Sequence, residues 1–404
     1  MYFKLQSHNY KLKSNDIQLK LSNKIPDAII SKSFHRYLSH MKDQINFNID
    51  KWTHTKIYTN PYEYIHTQYE DKMYLSKLNP VSRSFYKLIE MFKTMNLLED
   101  INSQSKSLHL AEGPGGFIQA IVRMKVDMLN GDGAYGDTIG VTLQSLCDTV
   151  PNWNKLKSIL PNNHNITFDN LHDNSGDLYN PENIQYACQK YKNSMEIITA
   201  DGGFDFSTNY KLQEHKMVNL LLFQCFYAIL CQKKNGIFIM KIFDVFIQST
   251  IDIIYILNMF YEQVYICKPV TSRPANSEKY IVCKYFKYSN TLHYLPHFKT
   301  IISQCQQCKD HYIQQILKIP IHDIFINKLE EINIIFGQKQ IENITSTLIM
   351  IDNYISNDTI ENYKKNNIQQ CVQWLTSHNI GYNTVKLNSK KNTNNHTLSQ
   401  QLLS

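Results

Sequence analysis

Between residues 107 and 284 the sequence repeats one pattern: a short apolar run, then a longer stretch with helical spacing. The runs are Ser107–Ala111, Thr138–Leu143, Ile166–Phe168, Glu196–Ala200, Gly236–Lys241, Gln263–Lys268 and Lys279–Lys284. The clearest intervening helices are Phe117–Met128, Asn183–Lys192, Leu212–Gln232 and Gln248–Tyr261. Such alternation drives a chain into a doubly wound parallel sheet, because each helix must return across a sheet face to start the next strand. The seventh run follows the sixth after a short Pro-containing loop. A parallel crossover needs about a dozen residues or more, so the last strand is predicted to be antiparallel. The predicted class is therefore α/β, with a mostly parallel seven-stranded sheet.

The flanks have a different character. Residues 1–64 are polar and basic with weak periodicity, and residues 1–60 hold ten Lys/Arg against four Asp. That balance of +6 accounts for nearly all of the chain's net +7. Clustered cations suit a polyanion, because phosphate contacts release counterions, although a solvated arm has the same composition. After Lys287 come long polar helical segments (His297–Leu317, Ile321–Phe336, Asp358–His378), read as a helical C-terminal module over 288–387. The Asn/Lys/Ser/Gln-rich stretch 388–404 is expected to be disordered. The core domain is placed at 65–287. No apolar signal segment opens the chain, and no stretch approaches the roughly 18 apolar residues of a membrane helix. The nine cysteines are scattered, several of them in apolar runs, which points to an intracellular, reducing compartment. Cys305-Gln306-Gln307-Cys308 lacks the second ligand pair of a zinc site, so no metal is expected.

Five segments carry candidate chemistry. Ala111-Glu112-Gly113-Pro114-Gly115-Gly116-Phe117 joins a strand to a helix at the sheet edge where α/β folds bind ligands. It matches neither a dinucleotide fingerprint nor a phosphate-binding loop, and a plain structural turn is the alternative. Ala200-Asp201-Gly202-Gly203 brings a carboxylate to the same edge, or is an ordinary Asp-Gly turn. Phe238-Ile239-Met240-Lys241-Ile242 places a lysine in an apolar strand, which is costly unless that lysine is paired, used or able to snorkel out. For such a lysine to accept a proton, its pKa must fall from about 10.4 towards about 8, a cost of about 3 kcal/mol that needs burial or a second cation. Thr271-Ser272-Arg273-Pro274-Ala275-Asn276-Ser277-Glu278 reads on its own as a hairpin loop, and Lys87 within Ser82–Phe92 as a helix-surface lysine.

Taken together, the segments resemble the FtsJ-like RNA ribose 2′-O-methyltransferases, and most closely their messenger-cap branch. The likeness runs from Asn60-Pro61-Tyr62-Glu63 to Lys287 and is most specific over Lys268–Tyr280. It implies a Rossmann-like methyltransferase core using S-adenosyl-L-methionine. It also implies a catalytic tetrad of Lys87, Asp201, Lys241 and Glu278, with Lys241 as general base, Lys87 as the cation that lowers its pKa, and the carboxylates orienting both. By the same resemblance Glu112, Gly113, Pro114, Gly115, Gly116, Phe117, Thr142, Asp177 and Asp201 would hold the cofactor. Arg83, Ser272, Arg273 and Asn276 would meet RNA. His109 and Thr142 depart from the acidic residues that many or bacterial relatives carry at those positions; Thr142 agrees with the cap branch. The implied substrate is the 5′ end of capped messenger RNA, with a capping-machinery or polymerase partner and no membrane. The rivals are a structured-RNA methyltransferase and a non-catalytic RNA-binding subunit of the same fold. The implied sites of action are the cytoplasm, a viral factory or the nucleus.

Overall fold

The computed structural model describes residues 1–384 apart from 8–9, 69–72, 130–134, 146, 148–149, 161–164, 205–211 and 354–355. The expected tail at 388–404 lies outside the described residues. The chain opens with β1 (Tyr2–Leu5), β2 (Ile17–Ser22), α1 (Lys32–Phe47) and α2 (Ile49–Thr59). The central stretch runs α3 (Ser84–Thr94), β3 (Ser107–Leu110), α4 (Gly116–Leu129), β4 (Thr138–Val141), α5 (Asn154–Ile159), β5 (Ile166–Phe168), α6 (Pro181–Tyr191) and β6 (Met195–Ala200). It continues through α7 (Gln213–Cys231), β7 (Gln232–Ile242), α8 (Gln248–Phe260), β8 (Tyr261–Cys267) and β9 (Lys279–Phe286). The C-terminal part holds α9 (Leu295–Gln307), β10 (Tyr312–Leu317), α10 (Asp323–Asp352) and α11 (Asn357–Ser377).

All seven strand runs enter one sheet, in the order β1-β8-β9-β7-β6-β3-β4-β5. Strands β7, β6, β3, β4 and β5 are mutually parallel. As expected, β9 is antiparallel to both neighbours. The sheet gains an eighth strand, because β1 pairs antiparallel with β8 along its edge. Side chains alternate between two cores, as the two-residue period of a strand requires. Ile197, Ile237, Ile239 and Val282 face α3, α4 and α11, whereas Ile198, Phe238, Met240 and Cys283 face α6, α7, α8 and α9. Helix α7 is apolar over Leu220–Leu230 apart from Gln224, because that stretch is enclosed by the sheet and its neighbours, and its Leu222, Phe223, Phe226 and Ile229 are wholly buried.

Two sequence readings change. His297–Leu317 is not one helix: α9 stops at Gln307, and Tyr312–Leu317 pairs antiparallel with β2, nearly 300 residues away. The buried Asp252 carboxylate accepts the Ile316 and Leu317 N–H groups at 2.6 and 3.1 Å and anchors that strand. The basic N-terminal segment, read from its weak periodicity without any defined element, carries two strands and two helices. Helix α10 packs on both α1 and α2, and α11 on α2. The N- and C-terminal flanks thus share one packing region against the central sheet. Among the described residues no helix is long and apolar enough to cross a membrane.

Candidate active site

The parallel strands end together, and their carboxyl edge collects the chemistry. The loop after β3 turns within one residue of Leu110. Gly115 takes φ +102°, and a Cβ there would lie 2.4 Å from Leu156 Cδ2. A Cβ on Gly113 would lie 2.4 Å from Pro151 O, so the backbone runs tight against its neighbours and leaves its outer face to a ligand. Thr142, at the end of β4, accepts the Gly113 N–H at 3.3 Å. Glu112 is buried beneath this loop. One of its oxygens accepts from Thr199 Oγ1 at 3.0 Å, and the other has no hydrogen-bond partner within ordinary distance among the described residues. Burial, then the neighbouring Asp201, push its carboxyl well above the usual range.

Four expected catalytic residues meet at the same edge. Lys87, on α3, lies 2.6 Å from Glu278 Oε1, and both are 9% exposed. Lys241, at the end of β7, lies 3.4 Å from Asp201 Oδ1 and donates to Asp201 O at 2.6 Å. Gly203 leaves room for it, since a Cβ there would sit 3.1 Å from Lys241 Nζ. Burial opposes the Lys241 charge, but the carboxylates of Asp201, Glu278 and Glu112 outweigh it and raise its pKa above the ordinary lysine value. The shift runs opposite to the lowering expected from Lys87. Glu278 shows the reverse balance: burial resists its ionisation, yet Lys87 and Lys241 bring it down to about 2.

The sequence reading missed Tyr280. Strand register places it opposite Lys241, wholly buried, and its hydroxyl lies 3.0 Å from Asp201 Oδ1 and 3.3 Å from Glu278 Oε1. It joins the two lysine–carboxylate pairs. The two-residue period of β9 was the available signal, since Glu278 and Tyr280 must share a face.

The expected RNA contacts are differently employed. Arg83 donates to Thr271 O at 2.8 Å, Tyr62 O at 2.6 Å and Glu63 at 3.3 Å, so its guanidinium is committed within the protein. Arg273 grips Glu63 with two bonds, at 3.1 and 2.8 Å, although its side chain is 46% exposed. Burial resists ionisation of Glu63, but Arg273 and Arg83 hold its carboxyl at about 2. Ser272 donates to Glu278 at 2.9 Å, and Asn276 accepts from Lys268 at 3.0 Å. Asp177 is half-buried past β5, with Oδ1 capping the Tyr179 N–H at 2.9 Å. His109 is buried between Thr199 (2.7 Å) and Ser107 (3.0 Å), and burial, then Lys125, push its pKa down to about 3, so it is neutral. Cys305 is buried and Cys308 half-buried at the end of α9.

A family model described as FtsJ-like methyltransferase matches residues 80–286, half of the chain. The chain belongs to that family. Members of the FtsJ-like family use S-adenosylmethionine as methyl donor, and the residues at the sheet edge fit it. They offer a loop without Cβ atoms at Gly113, Gly115 and Gly116, a buried Glu112 oxygen without a hydrogen-bond partner among the described residues, and flanking carboxylates. Two curated relatives are both called cap-specific mRNA (nucleoside-2′-O-)-methyltransferase. Number 1 from Danio rerio is 41% identical over 120 residues, 28% of this chain and 14% of its own length. Number 2 from Pongo abelii is 27% identical over 281 residues, 67% of this chain and 35% of its own. This FtsJ-like chain thus spans only part of those relatives. A crystal structure of a ribosomal RNA methyltransferase from Plasmodium falciparum aligns over 51% of this chain and 97% of its own, with 20% identity and a TM-score of 0.35.

Proposed function

We propose that the protein methylates an RNA ribose 2′-hydroxyl, at the first transcribed nucleotide of capped messenger RNA. The observation that carries this reading is the pair of buried lysine–carboxylate contacts, Lys87–Glu278 and Lys241–Asp201, joined by Tyr280 beside the glycine loop. The names of the curated relatives support the capped substrate.

Bound S-adenosylmethionine supplies a methyl group on a sulfonium, whose sulfur leaves as a neutral thioether. Glu112–Phe117, Thr142, Asp177 and Asp201 would hold it. Lys241 Nζ takes the proton of the 2′-hydroxyl as the ribose oxygen bonds to the methyl carbon. Lys241 is charged in the free protein, so it must first shed a proton. A cation bound in the site would supply a like charge that lowers its pKa. Lys87, held by Glu278, orients the hydroxyl and neutralises developing oxyanion charge. Most of the rate comes from positioning, because in-line transfer from a sulfonium needs little other assistance.

The test is mass spectrometry of a short capped RNA after incubation with the protein and S-adenosylmethionine. A gain of one methyl on the first ribose is expected, with much less transfer to uncapped RNA. Equal transfer to both would overturn the cap reading. No transfer to any RNA would overturn the catalytic one.

A further inference from the structure

The strand ends that carry Lys241 and Glu278 run on into a second buried group of charges. Asp244 lies three residues beyond Lys241, Ser277 and Lys279 flank Glu278, and β7 and β9 hold Ile242 opposite Lys279. Lys42 reaches this group from α1 and is only 8% exposed. Its Nζ lies 2.6 Å from Asp244 Oδ2 and donates to Ser277 Oγ at 3.0 Å. One ammonium therefore ties the end of β7 to the start of β9. Ser277 Oγ closes the triangle by donating to the same Asp244 oxygen at 3.3 Å. Lys279 donates to Ser277 O at 2.8 Å and lies 3.9 Å from Asp244 Oδ1. Helix α10 holds the same two segments from outside. Asn333 donates to Val245 O at 2.5 Å, and Gln340 to Ala275 O at 2.8 Å. Lys42, Asn333 and Gln340 all lie outside the stretch that the family model matches.

We propose that Lys42 is a positioning residue of the methyl-transfer site, fixing the spacing of the Lys241 and Glu278 strand ends, so that the flanking helices complete the active site. The proposal rests on the functional reading above. Lys42 acts through its contacts with Asp244 and Ser277. Besides these, the groups facing it are Lys279 and, through Asp244, His35 of α1 and Glu214 of α7.

The test compares the full-length wild type with Lys42→Met and with Lys42→Met/Asp244→Asn. The double variant removes both partners of the Lys42–Asp244 pair together and leaves Lys279 its bond to Ser277 O, and both variants are assayed below their measured melting temperatures so that misfolding is kept apart. In both variants kcat on capped RNA is expected to fall about tenfold or more, since small displacements at a reacting centre are costly. KM for RNA and Kd for S-adenosylhomocysteine should stay within about twofold. Amide exchange should quicken at 242–246 and 276–280 but not in β3. A double variant with wild-type kcat, or unchanged exchange at those two segments, overturns the proposal. A wild type that methylates no RNA overturns the functional reading instead, and the exchange rates alone then decide whether Lys42 holds the strand ends.

Discussion

The charge state of Lys241 decides how the proposed reaction responds to pH. Its pKa is raised in the free protein despite burial, with Asp201 the strongest raising influence. A base must be neutral, so kcat/KM should climb with pH through the neutral range and beyond. Asp201→Asn removes that raising influence, and its rate should start to climb at lower pH, although from a lower maximum. A pH–rate profile unmoved by this change would separate Lys241 from the proton transfer. Lys241→Ala should abolish methyl transfer while leaving cofactor affinity nearly intact, measured by tritium transfer and calorimetry. Tyr280→Phe deletes the hydroxyl shared by Asp201 and Glu278. The buried carboxylate that accepts its one proton then loses a donor, which should cost about 1–3 kcal/mol of stability in a denaturant titration and lower kcat.

At the scale of elements, Glu63 gathers three separate segments. It receives Arg83 from the start of α3, Arg273 from the loop before β9, and the Asn60 side chain from its own turn. This explains why Asn60-Pro61-Tyr62-Glu63 and Ser272-Arg273-Pro274 belong to one motif although some 210 residues part them. Glu90 adds a further tie, accepting the Val270 and Thr271 N–H groups at 2.6 and 3.1 Å. Arg83→Lys cannot reproduce a planar fork that reaches three acceptors, and should cost about 1–3 kcal/mol of stability. The salt dependence of RNA affinity should stay the same, because Arg83 already spends its donors inside the protein. A weaker salt slope in that variant would mean that Arg83 touches phosphate.

At the scale of the whole molecule, acid should loosen the assembly through the same carboxylates. Glu63 and Glu278 both have folded pKa values lowered to about 2. A depressed acid stabilises the fold above its unfolded pKa, and that contribution is lost as pH falls through the folded value. Each should contribute up to about 3 kcal/mol, lost between roughly pH 5 and pH 2. The melting temperature should therefore fall steeply over that window, and Glu63→Gln should lower it at pH 7 while flattening the decline. Two other buried acids act in the opposite sense: burial raises Glu214 to about 7 and Asp252 to about 6. They oppose stability as pH rises from about 4 to 7, so the optimum should lie on the mildly acidic side of neutrality.

The resemblance to the FtsJ-like family singled out Lys87, Asp201, Lys241 and Glu278, and the sequence by itself determined seven of the eight strands of the central sheet and the antiparallel sense of β9. Local periodicity and strand-end motifs carry that information, because a strand fixes which residues share its face and its end. It could not reveal that Tyr312–Leu317 is a strand, since its partner β2 and its anchor Asp252 are remote in the chain. Nor could it show that Arg83 is spent on Glu63, that Lys241 is charged at rest, or that Lys42 spans Asp244 and Ser277. Burial and the distances between charges settle each of these, and both exist only once the two ends of the chain close over the sheet.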